Sequence, residues 1–125
     1  MMEGVGYETR SCLEGLRAIG IEPGEVVAMG GGARSDLWVR IKADILALPV
    51  LRPRYTETAS IGAALLAARS VDLIDDLDTA ARQWNPTQDV VTPDPDSVEF
   101  YRGRIALYED LYRALVPLYP RLNAS

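Results

Sequence analysis

Three consecutive glycines, Gly30, Gly31 and Gly32, stand between the short run Glu25-Val-Val-Ala-Met29 and an amphipathic segment opening at Ser35. The run carries two β-branched residues, which suits one buried strand and is too short for a helix. The glycines permit positive φ and present no Cβ, so a flat molecule or a phosphate can come close to the backbone. Ser35 is placed to cap the helix that follows, and Asp36 lies in its first turn, where the helix dipole favours a carboxylate. Strand, glycines and helix in that order make a ligand-shaped junction, although the same order also serves as a plain tight turn.

Composition narrows what such a junction can belong to. A chain of 125 residues, 48% of them apolar, fits one domain with a core of its own. Thirteen basic against eighteen acidic residues give a net charge of -5, which argues against an electrostatic nucleic-acid surface. Cys12 is the single cysteine and histidine is absent, so an internal disulfide, a Cys/His metal site and a histidine base are all excluded. The N-terminal Met-Met-Glu-Gly-Val lacks the basic flank and apolar stretch of a signal peptide, and the apolar run Thr58 to Ala68 is far too short to span a bilayer. A soluble, cytoplasmic protein is the expectation.

Met2, Val5, Thr9, Cys12, Leu16 and Ile19 recur at spacings of three and four, predicting a helix that buries this stripe and ends near Gly20. A second helix is expected from Ser35 to Leu46, burying Trp38, Ile41 and Ile45 and stopped by Pro49. Val50 to Arg52 reads as a second short strand closed by Pro53, which has no N–H to donate. The helix from Thr56 to about Ser70 carries Ala59, Gly62, Ala63, Ala64, Ala67 and Ala68 and should pack tightly against its neighbours. Between Val71 and Glu99 eight acidic residues face the single base Arg82; this reads as a solvated face, with a short helix from Asp76 to Trp84 and a loop marked by Asn85-Pro86, Pro93 and Pro95. No glycine lies in that segment, so it does not fit a calcium loop. Val98, Tyr101, Ile105, Tyr108, Tyr112, Leu115 and Tyr119 predict a long final helix whose tyrosines serve packing. The fold class is α/β, helix-rich with two short parallel strands, and two strands leave exposed edges.

Three blocks, Gly30-Gly-Gly-Ala-Arg-Ser-Asp-Leu-Trp38, Ile41-Lys-Ala-Asp-Ile-Leu-Ala-Leu-Pro-Val50 and Glu57-Thr-Ala-Ser-Ile-Gly-Ala-Ala-Leu-Leu-Ala-Ala68, resemble in order and spacing the C-terminal signature of the FGGY carbohydrate kinases, the xylulokinase branch above all. The resemblance implies the C-terminal portion of a ribonuclease H-like, actin-like ATPase domain, without that domain's leading antiparallel strands. Residues 1–70 would be the nucleotide-binding subdomain, in part, and 71–125 an acidic segment and helical extension of the same domain. The family transfers the γ-phosphoryl group of MgATP to a sugar or polyol hydroxyl, and its phosphate hairpins, magnesium ligands and catalytic aspartate lie upstream of the matched region. The resemblance thus implies an adenosine site for ATP or ADP formed by Gly31, Gly32 and Ala33 as backbone walls, Ser35 and Asp36 as polar contacts and Gly30 in the turn, with no catalytic or metal-binding residue in this chain. Arg34 is a candidate phosphate contact, Asp44 a structural hydrogen-bonding group, and Arg52 and Arg54 candidate contacts to another part of a complete enzyme. The expected partners are an adenine nucleotide and the rest of the kinase or a second chain, and the chain alone is expected to lack kinase activity. Two alternatives stay open: an NAD-binding Rossmann-type oxidoreductase fragment, because Gly30-x-Gly32-x-x-Ser35 approximates the dinucleotide fingerprint, and a non-enzymatic module that self-associates into a homo-oligomer through its sheet edge and tyrosine-rich helix.

Overall fold

The computed structural model describes residues 2–122. Helix α1 (Met2–Ala18) leads to strand β1 (Val26–Val27), a 3₁₀ turn (Gly31–Arg34) and helix α2 (Asp36–Leu46). Strand β2 (Val50–Pro53) is followed by helices α3 (Thr58–Ser70) and α4 (Leu77–Trp84), strand β3 (Thr87–Val91) and the long helix α5 (Pro95–Leu115). A 3₁₀ turn (Val116–Leu118) and the short helix α6 (Tyr119–Leu122) complete it.

The sheet order is β1-β2-β3. β1 and β2 are parallel, with Val26 opposite Val50 and Val27 opposite Leu51, and α2 makes the crossover that parallel neighbours require. β3 returns antiparallel to β2, placing Asp89 opposite Arg52. The expectation of two strands is therefore corrected to three, because Thr87–Val91 forms a strand within the segment read as a loop. Asn85 fixes its entry: the side chain accepts from the Tyr55 N–H at 2.8 Å and donates to the Tyr55 carbonyl at 2.9 Å.

Helix α2 is the hub of the core. Its Val39, Ala43, Ile45 and Leu46 are fully buried, whereas Trp38 and Ile41 are only half-buried. One side of α2 packs with Ala28, Ala33 and Val50; the other packs with Tyr7, Leu13 and Tyr101. Ala47 ends the helix in the left-handed region at φ 53°, two residues before Pro49.

Helix α1 uses a different face from the one expected. Gly6, Tyr7 and Leu13 are buried, while Met2, Val5, Leu16 and Ile19 are exposed. Gly6 sets this phase, because a Cβ there would lie 2.6 Å from Ile45 Cδ1, so the glycine lets the Ile45 side chain pack against α1. Helix α3 also departs from expectation: it packs on α4 and buries only Leu65 and Ala68, leaving most of its small-residue face open. Helix α5 begins earlier than Val98, with Asp94 capping through the Ser97 N–H at 2.9 Å and Pro95 in the first turn. Its first half follows the expected stripe: the Tyr101 ring meets Tyr7 edge-on at 6.3 Å and Tyr108 lies 5.4 Å from Tyr7. Tyr112 and Tyr119, further along, are exposed.

Candidate nucleotide-binding loop

The glycine loop hangs between the end of β1 and the start of α2. Gly30 sits at φ 69° and ψ -164°, a region open essentially to glycine alone. Its N–H donates to the Thr56 carbonyl at 2.9 Å, and its own carbonyl accepts from the Ala33 N–H at 3.1 Å. The loop is thereby tied to the segment that opens α3. Gly31 and Gly32 do not have positive φ, so the three glycines serve three different ends. Open space surrounds the place where a Cβ on Gly31 would sit, while one on Gly32 would lie 3.1 Å from the Trp38 ring. Gly31 is the face a ligand can approach; Gly32 lets the loop lie on Trp38.

The remaining residues of the expected site divide between core and surface. Ala33 is 0% exposed as a whole residue and packs with Val39, Ala43 and Val50; its N–H donates to the Gly30 carbonyl and its carbonyl accepts from Arg52, so it lies beneath the loop surface instead of forming the backbone wall expected of it. Ser35 caps α2 as expected, its Oγ accepting from the Trp38 N–H at 3.3 Å. The Asp36 side chain, 90% exposed, pairs with Arg52 Nη1 at 2.6 Å.

Arg52 links three elements around this loop. Its Nη1 also donates to the Ala33 carbonyl at 3.3 Å, and its Nη2 pairs with Asp89 on β3. These hydrogen bonds, to Asp89 first and Asp36 second, raise the guanidinium pKa further, and the same contact with Arg52 holds the Asp89 carboxyl below the ordinary range. The expectation that Arg52 meets another part of a complete enzyme is replaced by this inward role. Arg34 donates to Glu57 Oε1 at 2.7 Å and to Thr56 Oγ1 at 3.3 Å, a second tie from the loop to the start of α3. Arg54 lies over the Tyr55 ring at 5.3 Å. Asp44 takes the structural place expected of it: buried on α2, it accepts from the Asp94 N–H at 2.8 Å and so joins α2 to the start of α5.

Three contributors were not visible in the sequence reading. Trp38 is the platform under Gly32, Lys42 lies over the Trp38 ring at 4.8 Å, and Thr56 receives the loop through its carbonyl. Burial lowers the Lys42 pKa. The spacing of Trp38 and Lys42, one helical turn apart, is the signal that would have paired them. Beyond Glu57 a cleft of about 520 Å³ opens between Tyr55, Ser60, Ile61 and Trp84. Among the described residues no group of three acidic or cysteine side chains is placed to hold a metal ion. None of the helices described is long and apolar enough to cross a membrane.

Chemically, the loop offers neutral backbone, one hydroxyl and one carboxylate, while the arginines beside it, Arg34 and Arg52, are already engaged by Glu57, Asp36 and Asp89. That set suits the uncharged base and ribose of a nucleotide better than its phosphates. The dinucleotide alternative loses ground here, since Glu57 stands at the start of α3 and is engaged by Arg34, not at the end of β2 where a ribose would need it.

A family model for the FGGY family of carbohydrate kinases, C-terminal domain, matches residues 1–71. The xylulose kinase of Bacillus subtilis is 30% identical over 112 residues, covering 90% of this chain and 22% of that protein. The glycerol kinase of Deinococcus radiodurans is 39% identical over 84 residues, 66% of this chain and 17% of the relative. Among solved structures, the xylulose kinase of Rhodospirillum rubrum superposes with a TM-score of 0.71 at 28% identity, covering 94% of this chain and 24% of that one. The ligand-bound xylulose kinase of Lactobacillus acidophilus shares the fold with a TM-score of 0.86 at 23% identity, covering 97% and 24%. The chain thus spans about a quarter or less of the length of these proteins. The matched stretch contains the glycine loop, α2 and α3 and exceeds half of the sequence, and the chain belongs to the FGGY family of carbohydrate kinases.

Proposed function

We propose that this chain is the adenosine-binding C-terminal portion of a kinase that transfers the γ-phosphoryl group of ATP to a hydroxyl of a sugar, a pentulose such as xylulose, or of a polyol. The observation that carries this reading is the coincidence of the family match with a loop whose Gly31 face is open and whose flanks are fixed by Thr56 and Arg52. Gly30 shapes the turn, Gly31 and Gly32 face the adenine and ribose over the buried Ala33, and Ser35 and Asp36 supply polar contacts. Subdomain 1–70 holds this site, and 71–125 supports it through β3 and α5.

Phosphoryl transfer requires positioned phosphates, a metal and a group that orients the attacking hydroxyl. In this reading ATP supplies the transferred group, and the magnesium ligands, phosphate hairpins and base come from the rest of the kinase, which is the chain's partner. The residues present here bind and orient the nucleoside and do no proton transfer. This chain alone binds nucleotide weakly and has no kinase activity. The setting is the cytoplasm, where sugar, ATP and kinase meet.

Calorimetric titration with ADP, ATP and NAD tests the proposal, run on the chain and on Gly31→Val. Gly31 is the position to block, because a side chain there meets open space, whereas one at Gly32 would press on Trp38 and disturb the fold. Adenine-nucleotide binding that vanishes in Gly31→Val supports the site. Binding unchanged by the substitution, or selective for NAD, overturns it.

A further inference from the structure

Arg52 is held on the inside of the fold, yet one of its bonds ends at the surface. Its side chain is 19% exposed, and it stands on β2 directly opposite Asp89 of β3, so the two share a face of the sheet. Nη2 pairs with Asp89, while the two hydrogens of Nη1 go to the Ala33 carbonyl at 3.3 Å and to Asp36 Oδ1 at 2.6 Å. The first two of these partners fix the guanidinium to the sheet and to the underside of the loop. The third is a carboxylate that is 90% exposed.

For stability the bond to Asp36 counts for little, since ion pairs with so exposed a partner contribute little. Its effect is on geometry. A free aspartate on a helix surface is spread over staggered χ1 rotamers, whereas one bonded to a guanidinium already fixed at two other points keeps a single rotamer. Arginine suits this task because its planar fork holds several acceptors in set directions. Ala33 and Asp36 lie on either side of the Ser35 cap, so one guanidinium spans the joint between loop and helix. Ser35 is held as well: its Oγ accepts from the Trp38 N–H, and its own hydrogen remains to donate. The joint thus offers a nucleoside one oriented donor, the Ser35 hydroxyl, and one oriented acceptor, Asp36 Oδ2, since Oδ1 is taken by Arg52.

We propose that Arg52 is a positioning residue for the nucleotide site: it aims Asp36 at the bound nucleoside, and Asp89 of β3 holds Arg52 in place to do so. The inference rests on the reading of the loop as an adenosine site. It adds to that reading a dependence on β3, which lies beyond residue 71 and so outside the stretch matched by the family's C-terminal domain model.

Two measurements on the full chain test it. Three-bond couplings from the Asp36 Cγ to its amide nitrogen and carbonyl carbon report the χ1 populations without any ligand. A single rotamer is expected in the parent and averaged couplings in Arg52→Met and in Asp89→Ala, the second of which removes a group that bonds to Arg52 and not to the loop. Calorimetric titration uses adenosine, which has no phosphate to feel the charge lost with Arg52 or Asp89. Its affinity is expected to fall about fivefold in each variant, the cost of ordering one free side chain on binding. In an Asp36→Ala background the same substitutions are expected to change it by less than about twofold, because their effect passes through Asp36. Couplings already averaged in the parent, or unchanged in both variants, would overturn this inference alone, as would an affinity that does not fall or that falls equally with and without Asp36. A parent that binds no adenosine would overturn the adenosine reading, and this inference with it.

Discussion

Gly30 and Gly31 are neighbours of identical chemistry with opposite tolerance for a side chain. At Gly30 there is space for a Cβ but the backbone stands at φ 69°; at Gly31 both the space and the backbone accept one. Gly30→Ala is therefore expected to cost about 1–3 kcal/mol, the penalty of a non-glycine residue in that region, and Gly31→Ala to stay within about 0.5 kcal/mol of the parent. Urea unfolding midpoints of the two variants check this, and equal losses would contradict the assignment of strain to Gly30. The sequence placed the loop correctly but could not divide these roles, because three glycines in a row look alike until the backbone is known. The same blindness misled the reading of α1: a periodic stripe from Met2 to Ile19 outweighs Gly6 on any count of apolar residues, yet Gly6 decides the phase by allowing Ile45 to approach.

At the scale of elements, the sequence disclosed α2 and its two flanking strands, because Ser35, the helical period and Pro49 are all local signals. β3 was hidden for the opposite reason. Thr87-Gln-Asp-Val-Val has weak alternation and sits among prolines and acids, and it becomes a strand only by pairing with β2 and by the bond between Arg52 and Asp89. Arg52 thus reports on the joining of α2, the loop and β3, and Asp89 gives it a pH signature. The folded Asp89 pKa lies below the unfolded value of about 3.9. Between the two the unfolded chain binds the proton and the folded chain does not, so the stabilisation is present above the unfolded value and is lost as pH falls through the folded one. Arg52→Met is expected to raise the Asp89 pKa toward its ordinary range, followed by carboxyl NMR titration, and to shift acid unfolding to higher pH. An Asp89 titration unmoved by the substitution would show that Arg52 does not engage it in solution. A second joint is expected at Asp44, where Asp44→Ala leaves the Asp94 N–H without its acceptor and costs about 1–3 kcal/mol in urea unfolding.

The whole molecule is unevenly covered. A composition of 48% apolar residues announced a core, and one exists around α2, but composition does not say on which faces the remaining apolar groups lie. Here they lie on the outer side of α1, along the free edge of β1 and over most of α3, as well as along α5. The small residues of α3 were read as a sign of tight packing, and the sequence cannot tell a helix packed within its own chain from one shaped to receive another surface. In the complete kinase proposed above, β1 and α3 would be the places for other parts of the protein to close on. Hydrogen exchange separates covered from uncovered elements, since amides under a dense core open only with global unfolding while those on sparsely packed helices open locally. The isolated chain is expected to show its slowest exchange in α2, around Val39 to Leu46, and at least about 100-fold faster exchange across Ala59 to Ala67 of α3, a gap of about 2.7 kcal/mol. Protection of α3 equal to that of α2 would mean that its open face, which buries only Leu65 and Ala68 within the chain, is covered in solution.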